Sequence, residues 1–228
     1  MSAAMARRVA LSCAALAMLA SPGQAFAQAK PRPAAARPSR SVEIGGYAMF
    51  GQVNFAAVDS FDAILGESSG PIFGGGARIG LPYGGLFVDV GAWQYSADGE
   101  RAFVAGNTVF PLGIPIEVTV TPIEFSGGWR FRIRKMPKLT PYAAGGWTLM
   151  RYQETSEFSS EDEDVDETFN GFHLFGGVEY KITRWFGVAG EASWTTVANA
   201  LGDAGVSEAF DETDLGGTTL RFKITIGR

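Results

Sequence analysis

Two kinds of connection alternate along residues 41–228. Strand-like runs lie near 41–53, 70–81, 86–95, 114–132, 140–152, 169–181, 185–198 and 214–227. The breaks between them are short at Pro82 to Gly85, Ile133 to Leu139 and Ile182 to Arg184, and long and polar over 54–69, 96–113, 153–168 and 199–213. Within an extended strand, odd and even side chains point to opposite faces. Consecutive strands joined in turn by tight and by long loops pair antiparallel with their chain neighbours, and an even number returns both ends to one side. The fold class that follows is all-β, an eight-stranded antiparallel up-and-down barrel.

The faces of the runs tell what surrounds such a barrel. Phe172, Leu174, Val178 and Tyr180 share one face against His173, Glu179 and Lys181 on the other. Phe186, Val188, Ala192 and Trp194 oppose Glu191, Ser193 and Thr195, and Leu220, Phe222, Ile224 and Ile226 oppose Arg221, Lys223 and Thr225. A continuous apolar face with charges behind it is what lipid contact requires, so a transmembrane barrel with short periplasmic turns and long outer loops is expected. No later segment approaches the roughly 18 apolar residues of a spanning helix. Strands that alternate keep mean hydropathy near zero, as the value of +0.06 does. In the fourth run the apolar parity switches, from Val118 and Val120 to Phe125, Trp129 and Phe131, and a bulge near Thr121-Pro122 is expected to reset the register. Trp93, Tyr95, Trp129, Tyr142, Trp147, Tyr152, Trp185 and Trp194 fall towards strand ends, where aromatic rings form interfacial girdles; the alternative places them in a soluble core.

Upstream, Arg7 and Arg8, the apolar Val9 to Ala20 and the small-x-small Ala25-Phe26-Ala27 read as a secretory signal peptide over 1–27, with the mature chain starting at Gln28. Residues 28–40, rich in Pro, Ala and basic side chains, read as a flexible linker ahead of the barrel domain at 41–228. The one cysteine, Cys13, lies inside the signal, which leaves the mature chain without a thiol, a disulfide or a thiolate metal site. A formal net charge of −5 argues against a nucleic-acid partner.

The signal, the eight alternating runs, the loop asymmetry and the final strand from Leu215 to Arg228 together resemble small eight-stranded outer-membrane barrels of the OmpA/OmpX type, the outer membrane β-barrel domain family. The resemblance covers about residues 41–228. It implies residence in the outer membrane of a Gram-negative-type bacterium, contact with outer-membrane lipid, and assembly by the barrel-insertion machinery. Gly217, Leu220 and Phe222 partly match that family's assembly signal, whereas Arg228 stands where such barrels usually end in an aromatic residue. A monomer is expected.

Eight strands enclose a lumen just wide enough for their own side chains. Alternation turns Glu43, Asp89, Glu124, Glu179 and Glu191 inward together with Arg78, Arg130, Lys181, Arg221 and Lys223. Unpaired charges in so narrow a space are costly, which predicts a paired, hydrogen-bonded plug. The alternative is a narrow porin-like path for small solutes or ions where Gly45, Gly51, Gly74, Gly76 and Gly177 leave space. The single histidine, His173, is expected to be a hydrogen-bonded lumen residue; Ser193 and Glu191 on the adjacent run are too little to argue a catalytic triad. No catalytic residue and no cofactor is assigned. Among the loops, Glu161, Asp162, Glu163, Asp164, Asp166 and Glu167 offer hard oxygens to divalent cations without matching an ordered calcium loop, so a solvated acidic loop is expected. Arg132, Arg134, Lys135 and Lys138 mark the opposite end of the barrel. Phe61, Ile64, Leu65, Val206, Ala209 and Phe210 are expected to pack over the barrel mouth, the alternative being contact with a partner. The leading functional expectation is a non-enzymatic plugged barrel serving envelope integrity or surface adhesion through acidic outer loops that bind surface ligands. A narrow channel and a soluble exported lipocalin-like barrel are the alternatives.

Overall fold

The computed structural model describes residues 42–105, 108–156, 164–202 and 205–227. The expected signal peptide and linker, and Glu161, Asp162 and Glu163 of the acidic stretch, lie outside the described residues. Eight strands, β1 (Glu43–Phe55), β2 (Ser69–Gly80), β3 (Leu86–Ala105), β4 (Thr108–Arg130), β5 (Leu139–Thr155), β6 (Val165–Lys181), β7 (Phe186–Thr196) and β8 (Gly217–Gly227), pair antiparallel in chain order. The sheet closes through β1 and β8, from Gly45 opposite Gly227 to Phe55 opposite Gly217. Closure leaves no strand edge, as lipid demands.

Which residues face outward changes character at one level of the barrel. Phe50, Phe73, Ala92, Ile123, Leu149, Phe172, Trp194 and Leu220 are the last apolar outward residues on successive strands. The next outward positions are Gln52, Pro71, Gln94, Thr121, Arg151, Asn170, Thr196 and Thr218. Below this border the outward face is an apolar belt in which Phe73 and Leu220 are each 67% exposed. Above it the interior turns apolar instead, and Val53, Ile72, Val118, Val120 and Met150 form the main core. The belt is too large an exposed apolar surface for water, which sets aside the soluble lipocalin-like alternative.

This reversal corrects three expectations. The bulge near Thr121-Pro122 is not there: Ala92 pairs with Ile123 and Tyr95 with Val120 in one unbroken register, and only the pairs opposite Pro122 and Thr121 drop out. Pro122 has no N–H to donate, so the ladder skips it without slipping. The parity switch reflects a change of surroundings, not of register. The irregularity lies higher, between Glu100 and Ala102, where four steps of β4 from Pro111 to Pro115 face two of β3, with Gly113 at φ +70°. Second, much of 96–113 is hairpin and not loop, because β3 runs to Ala105 and β4 begins at Thr108. Third, Val165, Asp166 and Glu167 belong to β6, which shortens the expected acidic loop. The same parity takes Trp93, Tyr95 and Tyr142 into the interior, so of the expected girdle Trp129, Trp147, Trp185 and Trp194 are the ones that face out.

The apolar core is roofed by the first and last long loops. Helix α1 (Val58–Leu65) buries Phe61, whose ring stacks on Phe55 at 4.1 Å, and ends at Gly66, which takes the left-handed conformation (φ +76°) that glycine adopts at least expense. The residue before α1, Ala57, supplies no side-chain cap. Glu212 does so from the last loop, accepting from the backbone N–H of Asp59 (3.0 Å) and Ser60 (2.8 Å) and from the Ser60 hydroxyl (2.6 Å). Beside it, helix α2 (Gly205–Ala209) buries Val206. Of the other expected capping residues, Ile64 and Leu65 pack against the core, Phe210 is half-buried and Ala209 is exposed. Phe61→Ala should lower stability by about 3 kcal/mol while leaving the barrel closed. Guanidinium unfolding of the refolded protein reads the first effect and heat-dependent gel migration the second.

Candidate functional site in the barrel lumen

Below the border, the inward positions of the strands are polar and their side chains meet across the lumen. Arg221 on β8 reaches Glu124 on β4 with two parallel hydrogen bonds, Nη1 to Oε2 at 2.7 Å and Nη2 to Oε1 at 2.6 Å. The same guanidinium donates to Thr219 (2.8 Å), Ser193 (3.2 Å) and Glu191 (3.4 Å). Lys223 Nζ donates to Glu191 Oε2 at 2.6 Å, and the ammonium lies over the Tyr47 ring at 4.3 Å. Tyr142 donates to Glu191 (3.1 Å) and Trp93 Nε1 to Glu124 (3.1 Å). The four charged groups of this cluster, two of each sign, are all buried. Charges this far from water persist only when paired and hydrogen-bonded, and the bidentate fork is the strongest form of that pairing.

Two further pairs lie towards the short-turn end. Arg78 Nε donates to Asp89 Oδ2 at 2.8 Å, Tyr47 donates to Asp89 Oδ1 at 2.7 Å, and the Arg78 guanidinium lies over the rings of Phe87 and Tyr142 at 4.4 and 4.5 Å. Arg130 Nη2 donates to Glu43 at 2.8 Å at the rim. Eight of the ten charges assigned to the lumen from sequence are thus drawn into pairs. Glu179 and Lys181 line the mouth instead, on the wall of a cavity of about 230 Å³ that Glu43, Arg78, Arg130 and Lys223 also border.

Of the glycines proposed as the walls of a path, Gly45 lines the cavity at the mouth and the other four stand where space is already filled. A Cβ on Gly76 would stand 2.5 Å from the Tyr47 hydroxyl, and one on Gly177 would stand 2.8 Å from the Tyr142 ring, so these glycines admit the two tyrosines to the lumen. Gly51 and Gly74 abut neighbouring backbone.

His173 is bonded at both ring nitrogens, Nε2 to the Ser126 hydroxyl (2.7 Å) and Nδ1 to the Thr148 hydroxyl (2.6 Å). One nitrogen donates and the other accepts in the neutral ring. Ser193 bonds Arg221 and not His173, and with both nitrogens held by hydroxyls no carboxylate orients the imidazole; Glu191 is taken up by Lys223 and Arg221. Ser126 and Thr148 escaped sequence reasoning because hydroxyls on the inward parity of β4 and β5 carry no mark of which histidine they will meet.

Of the acidic stretch, Asp166 faces outward and accepts from Arg151 Nε at 2.7 Å, a hydrogen bond that holds its carboxyl below the usual range. Asp164 accepts from the Ser156 N–H at 3.4 Å, and Glu167 pairs with Tyr152 on β5. Among the described residues no group of three or more His, Cys, Asp or Glu side chains is placed to hold a metal ion.

The family model described as "Outer membrane protein beta-barrel domain" matches residues 11–224. Among solved structures, the neisserial surface protein A superposes with a TM-score of 0.50 at 13% identity, over 81% of this chain and 96% of that one. A major outer membrane protein from Thermus thermophilus superposes with a TM-score of 0.51 at 11% identity, over 82% and 100%. At such identities the likeness is one of fold. A search of curated proteins finds no match.

Removing one member of the central pair strands its partner. Arg221→Met should cost about 3–5 kcal/mol by leaving Glu124 buried and unpaired. The double variant Glu124→Gln/Arg221→Met, which removes both charges and leaves Lys223 with Glu191, should recover at least half of that loss. Urea unfolding of the refolded barrels measures both.

Proposed function

We propose, for a chain that belongs to the outer membrane protein beta-barrel domain family, a non-enzymatic role as a plugged outer-membrane barrel that acts through its outer face. The observation that carries this reading is the buried cluster of Glu124, Glu191, Arg221 and Lys223 beneath an apolar core. Water and ions meet paired charges from one side and packed hydrocarbon from the other. The cavities at the two ends of the barrel share no lining residue. An enzymatic reading finds no support in a histidine satisfied by two hydroxyls in a closed interior.

Adhesion or envelope support then rests on what stands above the membrane border. The β3–β4 hairpin continues past Gln94 for a further 11 residues to Ala105, which at a strand's rise and a barrel's tilt projects on the order of 30 Å. Near its tip Phe103 pairs with Phe110, and these two and Leu112 are 48–59% exposed. Exposed aromatics on a stiff hairpin suit recognition, since a rigid anchor loses little freedom when it binds. Asp164 and Glu167 of the acidic stretch, at the start of β6 two strands from β4, add negative charge fitted to cationic surface ligands or to divalent ions bridging lipid phosphates. Export by the N-terminal signal and insertion by the barrel-assembly machinery complete the reading.

Conductance tests it directly. Mature protein, refolded and selected for the gel shift on boiling that marks a closed barrel, should give no channel steps in planar bilayers. Reproducible steps from that material would overturn the plugged reading in favour of the narrow channel.

A further inference from the structure

Beneath the roof made by α1 and α2, and separate from the charged lumen, lies a second cavity of about 330 Å³. This volume is within the range of small-molecule sites. Its walls come from five elements: Phe61 and Ile64 of α1, Val206 of α2, and Leu112 and Ile116 of β4 are apolar, while Arg101 of β3 and Glu154 of β5 are the charged ones among the described residues. Those two form an ion pair at 3.5 Å, and Tyr152, also on the wall, donates to Glu154 at 3.5 Å. Burial, with Glu154 adding to it, pushes the Tyr152 phenol up, so it remains a donor. The floor is the packed interior of Ile116 and Val118, so the cavity belongs to the outer mouth and not to a path through the barrel.

We infer that this cavity is a binding site for a small uncharged amphiphile: an apolar body with one group able both to donate and to accept, such as an alcohol or an amide. Apolar walls on α1, α2 and β4 receive the body. The Arg101–Glu154 pair offers a donor and an acceptor side by side to the polar end. Charge decides between ligand classes. Arg101 is already balanced by Glu154, so a carboxylate entering here would gain one cation and meet one anion, whereas a neutral group can bond to both without disturbing the pair. The volume corresponds to about eleven water-sized groups, which suits a chain or fused ring of medium length and excludes a whole lipid. This inference goes beyond the surface-anchor reading and does not depend on whether the lumen conducts.

The test uses the folded protein in phosphatidylcholine discs, titrated with 1-aminoanthracene, an amine that is uncharged at neutral pH and brightens in apolar surroundings. A saturable rise above that of empty discs is expected, displaced by decanol about tenfold more effectively than by decanoate. Ala102→Trp and Leu201→Trp, each placing an indole in the cavity, should abolish the saturable component while retaining the heat-dependent gel shift. Absence of a saturable component in the wild-type protein would overturn the inference. So would undiminished binding in a folded tryptophan variant, and so would displacement by decanoate as good as that by decanol. The displacement experiment needs only the wild-type chain, so it stands even where a tryptophan variant does not fold.

Discussion

The bilayer allows no unpaired backbone, and from that constraint the rest of the molecule follows. Closing β1 on β8 satisfies every strand, but it also ties each residue to one of two faces with no freedom to choose. Along β4 the outward series is Trp129, Phe125 and Ile123 in the belt, then Thr121, Thr119 and Glu117 beyond it. The inward series runs the other way, from Ser126 and Glu124 to Val120, Val118 and Ile116. A single uninterrupted strand therefore lives in two solvents. Its lower part is apolar outside and polar inside, and its upper part resembles a water-soluble barrel with a hydrocarbon core. That core has to be roofed, and α1 and α2 are the roof.

Polar contents in the lower half carry their own requirement. Arg221 and Glu124 are 97 residues apart in sequence and on opposite strands of the ring, so their bond braces the barrel across its width. Around them, large side chains meet matching absences: Tyr47 enters where Gly76 and Gly91 lack side chains, and Tyr142 where Gly177 does. Glycine in these strands is a packing device that lets an eight-stranded lumen hold rings as well as charges. Shape and charge together fill the lumen between the two end cavities, which favours the plug we propose over a passage.

Much of this was legible in the amino-acid sequence, and the failures have a common physical source. The strand number and the short turns follow from the spacing of runs and breaks, and the inward parity of Arg78, Asp89, Glu124, Glu191, Arg221 and Lys223 from two-residue alternation. Which acid would meet which base did not follow, because partners such as β4 and β8 are set by the stagger of the closed sheet and not by chain order. The bulge assigned to Thr121-Pro122 came from reading apolar parity as register; parity reports surroundings, and at the membrane border the surroundings invert while the register continues. For the same reason the upper half of β3 and the first residues of β4, up to Gly113, read as loop, since Ser96, Asp98 and Glu100 face water and Gly99, Pro111 and Gly113 interrupt the pattern. The His173 partners, Ser126 and Thr148, carry no signal that distinguishes them from other strand hydroxyls.

A plug below and a roof above divide the barrel into parts under different demands. The lower half has to keep its charges paired, and removing one member of a pair there leaves its partner buried and alone. Nothing of the kind binds the hairpin of β3 and β4 above the border. Its outward residues touch water, its bulge at Glu100 and Ala102 loosens the ladder, and its base is anchored in the most constrained part of the fold. Variation at the outward positions of that hairpin costs the barrel little. The recognition role we propose is therefore best accommodated there, on a stiff arm whose chemistry can change while the membrane-embedded half stays as it is.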